Sequence, residues 1–337
     1  MISYGSKKSC NILLNIILIF LKMTTEWKEV HPNNQFKAVP KWYKASNCGT
    51  LMPSNMLADP YSLYEDFVAR PDDVYVLSFP KCGASWLQEI VWLIKNNADT
   101  IKAKESRSDE RIPFVELPPF RLKTSFFDDI QSPRILKTHL NYSLLPHELI
   151  EKKCKLIYQA RNPKDVCVSY FHFAHMNNHF DYAGDFETFF QLFIEDRREY
   201  NHVSVNIFPF SPFWTSVKEY WNKRNDENML FLMYEDFHLN FMKTAKQVAS
   251  FLGVTLTDEQ FSKIKDHCSF KQMKTSPTTN YQYWDDLGFR KKEGTQFMRK
   301  GIAGDWKNKF TVAMNERMDE WIDENTRGTG IKFTYQV

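Results

Sequence analysis

Residues 74–94, VYVLSFPKCGASWLQEIVWLI, change hydrophobic period halfway along. Residues 74–79 form an apolar, β-rich run, and from Ser85 onward Trp86, Leu87, Ile90, Val91 and Ile94 share one helical face. A short turn holding Pro80, Lys81, Cys82 and Gly83 joins the two halves. A strand that ends in such a turn and opens a helix presents unpaired N–H groups at the positive end of the helix dipole, a ready anion site. Lys81 adds a full charge beside it. Without further evidence an ordinary strand-to-helix turn with a solvated lysine fits equally well.

The rest of the chain repeats the strand-then-helix pattern. Residues 134–138 (RILKT), 155–160 (KLIYQA) and 229–234 (MLFLMY) read as further interior strands. Pro163 opens a helix that runs to Phe173, and residues 186–196, 213–222 and 242–252 read as helices, the last ended by Gly253. Thr257 and Gln260 form a capping box for a helix to about Asp266. Residues 311–325 form a last helix, with Val312, Met318, Trp321 and Ile322 expected toward the core. This alternation predicts an α/β fold: a three-layer domain with a central, mainly parallel sheet and a P-loop-like strand-loop-helix. Residues 24–72 read as irregular apart from a short helix at 61–68. Two further irregular stretches stand out. Residues 99–133 are rich in Pro and Phe and suit a pocket wall or an anchored surface connection; residues 275–304 suit a lid.

Composition narrows the partners. With 44 basic and 41 acidic residues the formal charge is +3, too even for bulk nucleic-acid or membrane binding but compatible with a local site for a small polyanion. The six cysteines are scattered, with no metal-like spacing, which suits a reducing compartment. The apolar run at 12–21 is interrupted by Asn15 and is far shorter than the ~20 residues of a spanning helix. It leaves three readings: a signal-peptide core, a membrane anchor, or an extension over residues 1–22 ahead of a functional start at Met23. The last, with a cytoplasmic protein whose single domain covers residues 24–337, is favoured.

In a parallel sheet, ligands bind at the carboxyl ends of the strands. Four such ends carry polar groups: Lys81 to Trp86; Lys137, Thr138 and His139; Arg161 to Asp165, leading to Ser169; and Tyr234, Glu235 and Asp236. Together they describe a site for a multiply phosphorylated small molecule, with Trp86 and Tyr234 as stacking partners for a purine. Singly, each has a structural reading: His139 as a hydrogen-bonded core histidine, Arg161 and Asp165 as a helix-start ion pair. An imidazole beside Lys137 is held neutral and therefore basic. The pattern G-x-x-x-x-G-K-[ST] is absent, which counts against a magnesium-dependent NTPase.

The ordered set SFPKCGASW (78–86), KTHL (137–140), ARNPKDVCVSYFHF (160–173), YED (234–236), SFKQMK (269–274) and RKGIAGDWKN (299–308) resembles the cytosolic sulfotransferase family, type 1 in particular, from about residue 60 onward. The resemblance implies transfer of a sulfuryl group from 3′-phosphoadenosine 5′-phosphosulfate (PAPS) to the hydroxyl or amine of a small, fairly apolar acceptor such as a phenol or steroid. It implies His139 as general base and places Lys137, Lys81 and Ser169 in the catalytic group. Lys81, Gly83, Ser85 and Trp86 would hold the 5′-phosphosulfate and adenine side, Arg161, Ser169, Arg299, Lys300 and Gly301 the 3′-phosphate, and Tyr234 and Phe270 the adenine. Cys82, Ala84, Cys268, Met273, Phe297 and Met298 would complete the cofactor wall, and Phe114 and Phe173 would line the acceptor pocket. No metal is implied. The pattern Lys307, Thr311, Val312, Glu316 resembles the family's dimerisation segment and implies a homodimer.

Departures at four positions qualify this picture. Cys82 and Ala84 stand where relatives carry hydroxyls, which predicts weakened cofactor binding. Cys268 replaces a common Thr, and Asn141 a usual Pro. A thiol at a helix N-terminus beside Lys81 also suggests an oxidisable Cys82 of lowered pKa. The competing readings are a small-molecule kinase, a binding protein without catalysis and a membrane-anchored carbohydrate sulfotransferase.

Overall fold

The four expected interior runs become the strands of one parallel sheet in the computed structural model, which describes residues 26–30, 37, 41–54, 68–116, 125–195, 209–291 and 294–337. They are β4 (Val74–Leu77), β5 (Ile135–Thr138), β6 (Lys155–Ala160) and β7 (Met229–Met233), in the order β5-β4-β6-β7. Every neighbouring pair is parallel, with Leu77 opposite both Thr138 and Tyr158, and Ala160 opposite Met233. The carboxyl ends therefore reach one edge together.

Alternation along these strands divides the core in two. Tyr75, Leu77, Leu136, Leu156 and Tyr158 face one apolar cluster; Val74, Val76, Ile135, Ile157 and Leu230 face another. Helices cover both faces, giving the expected three layers. α1 (Ala84–Lys95) packs on the second face with Leu87, Ile90, Val91 and Ile94, beside α6 (Phe241–Leu252) and α7 (Asp258–His267). The first face carries α2 (Pro163–Met176), α3 (Phe186–Ile194), α4 (Phe213–Asn222) and α9 (Val312–Thr326). α5 (Tyr234–Leu239) follows β7 directly, and α8 (Phe270–Thr275) precedes the segment expected as a lid. The local signals hold: Thr257 and Gln260 cap α7 reciprocally, Gly253 ends α6 in the left-handed region, and the Asn162 side chain accepts from the first-turn amides of α2.

Two expectations are corrected. Residues 24–72 are not simply irregular: β1 (Trp27–Val30), β2 (Trp42–Ala45) and β3 (Leu51–Pro53) make a small antiparallel sheet around the fully buried Trp42. Strands of three or four residues carry too few alternations to announce themselves, and Pro53 sits at the end of an edge strand, where its missing N–H disturbs little. Val312 is 76% exposed rather than part of the core, because the first turn of α9 projects beyond the packed face that Met318, Trp321 and Ile322 supply. The expected helix at 61–68, apart from Val68, and the N-terminal extension lie outside the described residues. So do residues 117–124 of the aromatic stretch.

Candidate active site

The turn between β4 and α1 is shaped by two residues with positive φ, Lys81 at 70° and Gly83 at 93°. A Cβ on Gly83 would stand 2.5 Å from the Tyr234 ring and 2.6 Å from the Gln159 amide, so only glycine fits. Gly83 is also the N-cap of α1 and brings no side-chain acceptor; its carbonyl accepts the Trp86 N–H at 3.0 Å, which leaves the Ala84 and Ser85 N–H groups for a ligand. Gln159 at the end of β6 donates to the Cys82 carbonyl at 2.6 Å and holds the turn in place.

Positive charge gathers around this turn. Lys81 Nζ lies 4.4 Å from the Phe173 ring and 4.3 Å from that of Phe297. Burial, reinforced by Lys137, Arg161 and Arg299, lowers its pKa to about 7. Lys137 sits 4.4 Å over the Phe114 ring, and burial lowers it to about 8, with Glu116 and Asp109 pulling the other way. Arg161 donates to the Lys81 and Ile302 carbonyls, and its guanidinium lies 4.4 Å above the Tyr234 ring. Its contact with Asp165 is long, at 3.8 Å, because Asp165 chiefly accepts the Gly304 and Trp306 N–H groups at 2.7 and 3.0 Å. That anchors the basic loop 299–304 to the start of α2. Within the loop Arg299 and Lys300 each reach Asp305 at 2.6 Å. Gly301 has a φ of 64°, and a Cβ there would overlap the Phe270 ring.

His139 is buried at the end of β5. Its Nδ1 lies 2.6 Å from the Ser78 carbonyl, an acceptor only, so Nδ1 carries the proton and Nε2 keeps its lone pair. Burial first, then Lys137, holds its pKa well below the ordinary 6.5. The rings of Phe114 and Phe210 meet it edge-on at 5.0 and 5.3 Å. On the far side of the site the Trp86 indole donates to the Cys268 carbonyl at 2.8 Å and packs edge-on against Tyr234 at 5.4 Å.

One cavity of about 1090 Å³ joins these groups. Its wall includes Lys81, Gly83, Ala84, Ser85, Trp86, Lys137, His139, Arg161, Ser169 and Tyr234 from the strand ends and the helices that follow them. Cys268 comes from the C-cap of α7, Phe270 and Met273 from α8, and Phe297, Met298, Arg299, Lys300 and Gly301 from the segment that follows, with Phe114 and Phe173 completing the wall. Cys82 is the exception. Its side chain is fully buried beneath the turn, and burial pushes the thiol pKa up, not down. The oxidisable-thiol expectation is thereby corrected: desolvation outweighs the nearby cations. Lys307, Thr311, Val312 and Glu316 are exposed, away from the cavity.

Sequence reasoning missed three contributors. Phe210 reaches His139 from a segment with no motif. Asp305 and Glu116 hold other site residues in place; the acid in the apolar run PFVEL was the available signal for Glu116.

Comparison with known proteins agrees with this geometry. The family model described as Sulfotransferase domain matches residues 71–330. Sulfotransferase 1B1 of Canis lupus familiaris is 38% identical over 276 residues, covering 81% of this chain and 90% of the relative. Human sulfotransferase 1E1 is 38% identical over 275 residues, with the same coverage. Among solved structures, retinol dehydratase in complex with androsterone and the inactive cofactor PAP superposes with a TM-score of 0.79 at 26% identity, covering 92% of this chain and 99% of the other. Mouse sulfotransferase SULT7A1 complexed with PAP gives 0.66 at 28%, covering 85% and 95%.

Proposed function

Because this chain belongs to the sulfotransferase family, whose PAPS-dependent chemistry it shares, we propose that it sulfates the hydroxyl or amine of a small, fairly apolar acceptor, with His139 as general base. The observation that carries this reading is the convergence of Lys81, Lys137, Arg161 and Arg299 on one cavity, where burial first and the neighbouring cations second lower the Lys81 pKa to about 7. Such a cluster is electrostatically incomplete without a polyanion. The glycine positions at 83 and 301 support the fit, since both keep space that a side chain would fill.

PAPS supplies an activated sulfuryl group on a phosphate leaving group. Trp86 and Tyr234 offer apolar ring surface for the adenine, and Arg299, Lys300 and Gly301 offer charge and backbone for the 3′-phosphate. Lys81 and the α1 N-terminus stand where charge develops on the leaving phosphate. Neutral His139 accepts the acceptor's proton at Nε2, and Ser78 holds the imidazolium that forms. Phe114, Phe173, Phe180 and Phe210 make the acceptor side apolar, which favours phenols, steroids or other lipophilic alcohols over sugars. No metal-binding residue is needed for any of these roles. Homodimerisation through Lys307, Thr311, Val312 and Glu316 and residence in the cytoplasm belong to the same proposal; the exposed Val312 is what supports the first.

The test is a panel of phenols, steroids, retinoids and catecholamines with labelled PAPS, with and without EDTA. Transfer to apolar acceptors that survives EDTA is expected. Transfer only to carbohydrate, or a requirement for added magnesium, would overturn the acceptor class or the mechanism.

A further inference from the structure

Glu116 is fully buried, yet nothing in the chemistry above uses it. Residues 113–116 run alongside the open edge of β5: the Val115 N–H donates to the Lys137 carbonyl and the Lys137 N–H to that of Pro113, both at 2.9 Å. This brings the Glu116 carboxylate to the carboxyl end of β5. One oxygen, Oε1, accepts both the Thr138 hydroxyl and the His139 N–H, each at 2.7 Å. The Thr138 hydroxyl in turn accepts the Leu140 N–H at 3.1 Å. Three consecutive residues, 138–140, are thus tied to one carboxylate oxygen.

The chain leaves the ladder at this point, so its N–H groups need a partner in a place without water. An apolar residue at 116 would remove the cost of burying an acid but would orphan those donors. The imidazole itself is fixed from the next strand, through Nδ1 to Ser78. With the backbone held from one side and the ring from the other, the direction of Nε2 is set. We infer that Glu116 is a positioning residue for the base: by accepting from Thr138 and His139 it fixes the turn that aims Nε2 into the cavity. The second oxygen, Oε2, has no hydrogen-bond partner among the described residues, so the bonds through Oε1 carry this role.

The inference rests on His139 being the base, and the experiment separates the two. Full-length Glu116→Gln and Glu116→Leu proteins are compared with wild type for kcat, for the KM of PAPS and for the Kd of 3′-phosphoadenosine 5′-phosphate (PAP). Glutamine keeps an oxygen that can accept both bonds, so its kcat is expected within about threefold of wild type. Leucine lets the turn relax, and a base displaced by even ~1 Å lowers kcat by roughly 30- to 100-fold, with PAP affinity unchanged. Thr138→Val, which removes one of the two bonds, covers the case in which the leucine variant does not fold; it is expected to lower kcat several-fold at constant PAP affinity. Full kcat in Glu116→Leu or Thr138→Val overturns the inference. So does a parallel loss of kcat, PAP binding and melting temperature, or a glutamine variant as slow as the leucine one. Turnover retained by His139→Ala would instead remove the base assignment itself.

Discussion

Nucleotide binding to this protein should take up protons, and its affinity should fall as the pH rises above 7. In the empty site the Lys81 ammonium has a pKa of about 7 and that of Lys137 about 8, against an ordinary 10.5. Both shifts come first from burial; like charges reinforce that of Lys81. Phosphate groups in the cavity supply the missing counter-charge and return both amines to their protonated forms. Weighting each empty-site amine by its neutral fraction gives an uptake of about 0.6 proton at pH 7 and about 1.7 at pH 8.5. The same weighting weakens PAP binding about 60-fold across that window, or about 2.4 kcal/mol. The window lies above the second phosphate pKa of about 6, so the ligand's own titration adds little. The sign for stability is opposite. Because both pKa values are depressed, the unfolded chain binds more protons than the empty fold between about 7 and 10.5, and the empty protein gains stability as pH climbs through that range. The assay is calorimetric titration with PAP in buffers of different ionisation enthalpy, from pH 7.0 to 8.5. Lys81→Arg, whose guanidinium stays charged, should lose most of the uptake. An affinity that is flat over this range, or an uptake below about 0.2 proton at pH 8.5, would refute the argument that burial, reinforced at Lys81 by like charge, leaves these amines partly deprotonated before the ligand binds.

Three further outcomes follow from the geometry. His139→Ala should lower kcat by at least ~10²-fold while leaving PAP binding nearly intact, since the ring packs against Ser78, Phe114 and Phe210 rather than the basic loop 299–304. Arg299→Ala should weaken binding of nucleotides that carry a 3′-phosphate by about 1.5–3 kcal/mol and spare 5′-AMP; an equal loss for both, measured calorimetrically, would remove Arg299 from the 3′-phosphate site. Val312→Glu should shift the sedimentation coefficient from dimer to monomer without changing the melting temperature, because the side chain is largely exposed in the single chain. An unchanged sedimentation profile would take this segment out of any interface.

The four parallel strands and the helices between them were legible because their signals are local. Apolar runs of four to six residues, Pro163 at a helix start, the Thr257–Gln260 box and Gly253 each act within a turn or two of their own position. Parallel pairing then forces the strand ends, and with them Lys81, His139, Arg161 and Tyr234, to one edge, so the strand-end part of the cavity wall followed from sequence order. What escaped depends on contacts between distant segments. The small sheet of β1 to β3 exists because residues far from the main sheet find each other, not because any strand is long. Val312 looks apolar and periodic but falls outside the packed face of its helix, and Cys82 faces the core, where desolvation reverses the effect expected from its charged neighbours. The sequence by itself determined the sheet, its helices and which residue types stand at the strand ends, because period and capping are properties of short stretches. Only the tertiary structure decided which way Cys82 faces, how far burial depresses Lys81 and which carboxylate holds the turn at His139. Burial, field and hydrogen bonding at a point are sums over everything packed around it.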